Sequence, residues 1–92
     1  MITKAQQTQL RSKAHSLSPV VLLGQHGYTP AVAAEIDRAL HDHELIKVKI
    51  PGDERDHRQL ITHLICQELH AELVQAIGKV IVLYRKRAEI AK

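Results

Sequence analysis

Between Pro19 and Gly24 stand four consecutive aliphatic residues, Val20-Val21-Leu22-Leu23, and five residues past Gly24 comes the pair Thr29-Pro30. A run this short, aliphatic and bounded by chain breakers predicts a strand buried on both faces. Thr29-Pro30 predicts a helix start: the threonine hydroxyl can cap, and the missing N–H of proline falls where no helical bond is made. A strand feeding through a short loop into a helix is the unit from which α/β domains are assembled.

The flanking segments extend the pattern. Thr3-Lys4-Ala5-Gln6 has capping-box spacing, and Leu10, Ala14 and Leu17 recur at helical intervals, so a first helix runs from about residue 4 to 15. Val32, Ile36 and Leu40 form the buried stripe of a second helix ending near Asp42. From Leu45 to Ile50 the period changes to two, with Ile46, Val48 and Ile50 on one side and Leu45, Lys47 and Lys49 on the other. Pro51-Gly52-Asp53 is a turn. Leu60, Ile61, Leu64, Ile65 and Leu69 give a third helix its apolar face. Leu73 to Ile77 and Lys79 to Tyr84 then read as a hairpin about Gly78. The order α-β-α-β-α-β-β predicts an α/β fold with a mixed four-stranded sheet. Its second and third helices lie on one side if the strands continue in one direction across the sheet, and the first is left to pack at an edge or cover part of the remaining surface.

Ninety-two residues suffice for one domain and not two, with residues 1–85 as the folded unit and 86–92 as a basic tail. The chain has no Trp, no Phe and two tyrosines, so its core is aliphatic and it lacks aromatic platforms for stacking bases. One cysteine, Cys66, excludes an internal disulfide and suits a reducing cytoplasm. The polar start and the lack of a long apolar run give no signal peptide or membrane span, so a soluble, cytoplasmic monomer is expected. Charge is unevenly spread. Residues 1–17 hold Lys4, Arg11 and Lys13 with no acid, residues 18–78 hold five bases against nine acids, and residues 79–92 hold five bases against Glu89 alone. Basic ends around an acidic middle point to a polyanionic partner for one surface.

Gly24-Gln25-His26-Gly27 is the motif with the most chemistry in it. A G-x-x-G tetrapeptide is usually only a turn. Placed between a strand and a helix N-terminus, it puts unpaired backbone N–H groups and the positive end of a helix dipole where a phosphate could approach. The third glycine of a dinucleotide loop and the Gly-Lys-Ser/Thr ending of a P-loop are both missing, which excludes nucleotide cofactors of those kinds.

Residues Ala14 to Arg85 resemble the bacterial YhbY-type CRM domain (chloroplast RNA splicing and ribosome maturation). The resemblance lies in Ala14-His15-Ser16-Leu17-Ser18-Pro19-Val20-Val21-Leu22-Leu23-Gly24, the loop to Gly27, Leu40-His41-Asp42-His43-Glu44-Leu45-Ile46-Lys47-Val48-Lys49, Val74-Gln75-Ala76-Ile77-Gly78-Lys79 and Val82-Leu83-Tyr84-Arg85. It implies a fold like the C-terminal domain of bacterial translation initiation factor three. It also implies RNA binding without catalysis or cofactor, and association with large-subunit ribosomal RNA or its precursor particle. The RNA-binding residues expected on this basis are Gly24, Gln25, His26 and Gly27 with Lys4, Arg11, Lys47, Lys49, Lys79, Arg85, Lys86 and Arg87. Many family members carry a basic residue inside the loop, where this chain has Gln25-His26.

Other readings are weaker. His63, Cys66 and His70 share a helical stripe, but one helix rarely wraps three ligands around zinc. Asp37, Asp42 and Glu44 beside His41 and His43 come with no nucleophile or metal scaffold, which argues against an enzyme. A protein-interaction adaptor on the ribosome, using the acidic middle, is the alternative to a direct RNA binder.

Overall fold

Two of the three helices begin on a threonine cap. In the computed structural model, which describes residues 2–87, α1 (Lys4–Ala14) opens on a closed capping box. Thr3 Oγ1 accepts from the Gln6 N–H at 3.1 Å, and Gln6 Oε1 accepts from the Thr3 N–H at 3.0 Å. α2 (Pro30–His43) opens with Thr29 Oγ1 accepting from the Val32 N–H at 3.2 Å. Such caps contribute about 1 kcal/mol each. α3 (Arg55–Leu69) has no side-chain cap at Glu54, and Asp56 in its first turn complements the dipole instead.

The strands are β1 (Val21–Leu22), β2 (Leu45–Lys49), β3 (Glu72–Ile77) and β4 (Val80–Tyr84), in the sheet order β1-β2-β4-β3. β1 is parallel to β2, and the other two pairings are antiparallel. The mixed four-stranded α/β sheet expected from the sequence is therefore present. Gly78, at φ +57, turns the β3–β4 hairpin. In β3 the register shifts between Leu73 and Gln75, so Val74 is an extra residue whose side chain packs with Ala14 and Val82.

The sheet has two unequal faces. On one, α2 and α3 bury Ile36, Leu40, Ile61 and Ile65 against Val21, Leu23, Ile46, Val48, Ile50, Ile81 and Leu83. Each such side chain contributes on the order of 1.5–3 kcal/mol when fully removed from water. On the other, α1 covers a smaller cluster of Ala14, Val74 and Val82, flanked by Ile2, Leu10, Leu45 and Tyr84. Because α1 crosses only part of this face, β1 is buried on one side alone: Val20 is 50% and Leu22 61% exposed, against 3% for Val21. The expectation of a strand buried on both faces is thus corrected. So is the apolar face of α3, where Ile61 and Ile65 are buried but Leu60 and Leu64 face solvent.

Tyr28 packs beside the larger core. Burial first, then the neighbouring Glu68 carboxylate, push its phenol from the ordinary 10.0 up to about 12. Below pH 10 both folded and unfolded phenols keep their proton and the fold has its full stability. Between pH 10 and about 12 the unfolded chain loses that proton first, so stability should fall as pH rises through this window. Denaturant midpoints of wild type and Tyr28→Phe across the window check this, and the variant should lack that part of the alkaline loss.

Candidate nucleic-acid interface

Strand direction decides which loops meet. β1 and β2 run the same way, and Leu23 N–H donates to Lys49 O at 3.1 Å, so the chain leaves β1 for the glycine loop beside the end of β2. Ile50 N–H donates to Lys79 O at 2.7 Å, which brings the Gly78-Lys79 turn to the same edge. Neighbouring strands lie about 4.8 Å apart, so the loop following β1 and the turn leading into β4 are about 10 Å apart across the sheet. Lys79 Nζ stands 3.7 Å from Asp53 Oδ1, but both side chains are well exposed and the pair is weak.

Within the loop, Gly27 N–H donates to Gly24 O at 3.0 Å, closing a tight turn that leaves Gln25 and His26 exposed. Gly27 has φ +70, which by itself calls for glycine. Gly24 does not share this explanation. Its φ is not positive, and a Cβ built there meets nothing within 4 Å. Neither conformation nor packing within the chain requires glycine at this position, and the space in front of it is open.

The uncovered part of the α1 face begins beside this loop. Leu22 pairs with Lys49, Lys49 with Val80 and Val80 with Ile77, so one row spans all four strands. Leu22 and Ile77 are 61% and 60% exposed. One row further from the loop lies Lys47, whose Nζ donates to Leu17 O at 2.9 Å and ties the sheet to the segment after α1. On α1 itself, Gln6, Gln9 and Lys13 line a hollow with Leu45 and Tyr84. The opposite flank, bearing Lys4, Thr8 and Arg11, therefore looks toward the open rows. Lys4 and Arg11 are about 10 Å apart along the helix. On this side Glu72 accepts from the Ile2 N–H at 2.8 Å, and Glu44 stands at the hollow on the other flank of α1. Most other acids among the described residues stand on or beside α2 and α3, where Arg38, Arg55 and Arg58 also lie, so the α1 side is the one on which bases clearly outnumber acids.

Arg85 and Arg87 lie at the far end of the sheet from the glycine loop. Arg85 Nη1 donates to Asp37 Oδ1 at 2.6 Å and to Leu69 O at 2.9 Å, and its Nη2 donates to Asp37 O at 3.0 Å. It thus locks the C-terminal half of α2 to the end of α3. Arg87 Nε and Nη2 donate to His41 O and Asp42 O at 2.9 and 2.7 Å, and its N–H donates to Glu44 Oε2 at 2.6 Å. These bonds satisfy carbonyls that the end of α2 leaves free, beside the negative end of its dipole. Lys86 between them is exposed. The rest of the basic tail, residues 88–92, lies outside the described residues. Only the topology reveals this capping role; in sequence, Arg85-Lys86-Arg87 is indistinguishable from a solvated basic run. We expect Arg85→Ala to lower stability by about 1–2 kcal/mol, read by chemical denaturation, because three hydrogen bonds are lost, of which the one to Leu69 O is partly buried and the two to Asp37 are exposed.

A model of the CRS1 / YhbY (CRM) domain matches residues 2–85. The chain is 48% identical over 88 residues to an RNA-binding protein of Haemophilus influenzae, covering 96% of this chain and 89% of that protein. It is 45% identical over 85 residues to a protein of Pseudomonas aeruginosa named as a probable RNA-binding protein, covering 92% and 82%. Among solved structures, that of a Staphylococcus aureus protein described as a candidate RNA-binding protein superposes with TM-score 0.83 at 35% identity, covering 97% of this chain and 93% of that one.

Proposed function

The chain belongs to the CRS1 / YhbY (CRM) domain family, and from that premise we propose that it binds RNA directly, through the glycine loop and the basic α1 side of its sheet. The observation that carries this reading is Gly24. Its missing side chain serves nothing inside the chain, while it sits at the rim of a face bearing Lys4, Arg11, Lys47 and Lys49. Phosphates would approach the loop N–H groups, as in KH domains, whose GXXG loop clamps a nucleic-acid backbone. Charge for the contact comes from the lysines and Arg11, because Gln25 and His26 bring no fixed positive charge. Lys79 extends the same edge across the hairpin turn. Arg85 and Arg87 serve first to hold α2, and among the described tail residues the exposed Lys86 is the one left to reach RNA.

The RNA in this proposal is ribosomal, from the large subunit or its precursor particle, and the role is in assembly rather than catalysis. The family resemblance is what supports that part. Crosslinking in cells followed by sequencing of the bound RNA, with sedimentation of the protein through a ribosome gradient, tests it. Large-subunit RNA and co-migration with large-subunit precursors are expected. Crosslinks confined to ribosomal protein would favour the adaptor reading instead.

A further inference from the structure

On the opposite face of the sheet, α3 stops short of β3 and leaves a groove of about 650 Å³ between the helix and the hairpin. Its floor is apolar, formed by Ile50, Leu73, Ala76 and Ile81, with the Cys66 thiol at one wall. Leu73 is 43% exposed there, on a sheet whose other residues facing α3 are buried or small. Its basic lining residues are Arg55, Arg58, His63 and Lys79, the last of them beside Asp53, and among the described residues no carboxylate side chain lines it. Arg58 Nη1 donates to Gly52 O at 2.5 Å, which draws that guanidinium toward the turn before α3. The volume is in the range of sites that hold small organic ligands. An apolar floor under a cationic rim suits a ligand with a flat apolar body and a negative charge. The groove also opens at Gly78-Lys79, on the edge the glycine loop shares.

We propose that this groove receives an unpaired nucleotide of the bound RNA, its base on Leu73 and Ala76 and its phosphate against Arg55, Arg58 and His63. The inference rests on the RNA-binding reading above and deepens it. Unpaired bases are the usual targets of sequence-specific RNA recognition, and an apolar surface can take the face of a base where aromatic side chains are lacking. A strand held by its backbone at the glycine loop could pass over the hairpin turn and place one base on the far face. The protein would then read an RNA with an unpaired segment beside the site, and a fully paired stem would use only the α1 side.

The test uses the whole chain, single-stranded oligouridylate and oligoadenylate, a fully paired hairpin, and a series of single-stranded oligonucleotides with one base removed at successive positions. Wild type should lose on the order of tenfold in affinity at one abasic position. Leu73→Glu should bind intact single strands correspondingly less well and show no further abasic loss. Arg55→Glu, on the exposed first turn of α3, repeats the test away from the edge strand, with circular dichroism confirming that both variants fold. Saturating oligouridylate should also slow iodoacetamide labelling of Cys66, and the paired hairpin should not. Equal abasic losses in wild type and both variants, or unchanged Cys66 labelling at saturation, would overturn the groove assignment while leaving backbone binding intact. A chain that binds neither single strands nor hairpin would remove both readings.

Discussion

With Lys4, Arg11 and Lys49 all replaced by glutamine, the protein should bind single-stranded RNA about a hundredfold more weakly near 0.1 M salt. The salt dependence of its affinity should be shallower by about two units on a log–log plot. Both figures come from counterion release: each phosphate neutralised on a single strand contributes a slope of about 0.7, and three such contacts give about two. The same argument makes the difference between wild type and variant shrink towards zero as salt approaches 1 M. The three side chains are exposed, and α1 keeps its capping box at Thr3 and Gln6, so the variant should fold. Affinity titrations at several salt concentrations separate this loss from a folding defect. An unchanged slope would take these residues out of the site. Arg85→Ala supplies the contrast: it is expected to lose stability and keep the wild-type slope.

Truncating Leu83 to alanine should remove about 2–5 kcal/mol of stability. Leu83 is fully buried in β4, paired with Ile46 on one side and Leu73 on the other, under both α2 and α3. A domain of this length has roughly 5–14 kcal/mol in total, so the loss is a large share of what holds it folded. Urea denaturation should show a lowered midpoint with an unchanged slope. Leu22→Ala is the matched control in the same sheet. At 61% exposure it should change stability by no more than about 0.5 kcal/mol. A comparable loss at both positions would contradict the division of the sheet into a packed face and an open one.

The elements were legible in the sequence because their signals are local. Thr3 and Thr29 cap the helices they were expected to cap, the two-residue period of Leu45 to Ile50 is β2, and Gly78 is the hairpin turn. The faces of the elements were less legible, since exposure depends on what packs above. Val20 and Leu22 read as buried because nothing in their own segment says that α1 leaves those rows open. Leu60 and Leu64 fit a helical apolar stripe, yet the part of α3 that meets the sheet is set by Ile61 and Ile65. The candidate site divides in the same way. The loop could be found from its glycines and its place between strand and helix. That Lys4 and Arg11 look toward Lys49, and that Arg85 and Arg87 cap α2 at the other end of the sheet, depends on topology. Basic residues look alike in sequence whether they await a phosphate or hold a carbonyl. The groove beneath α3 had no sequence signal, because Arg55, Cys66, Leu73 and Lys79 come from three separate segments.

Gly24→Asp tests the central claim most directly, because position 24 has no positive φ and open space in front of it, so the added carboxylate meets nothing in the fold. Thermal unfolding and RNA titration should be run on the same preparation. A melting temperature within a few degrees of wild type is predicted, since Gly24 is itself exposed and an added side chain meets no neighbour, although Leu23 before it is buried. RNA affinity is predicted to fall by at least about tenfold, from the lost close approach and the new negative charge facing phosphate. A folded Gly24→Asp protein that binds RNA as tightly as wild type would contradict the account and reduce the glycine loop to a turn.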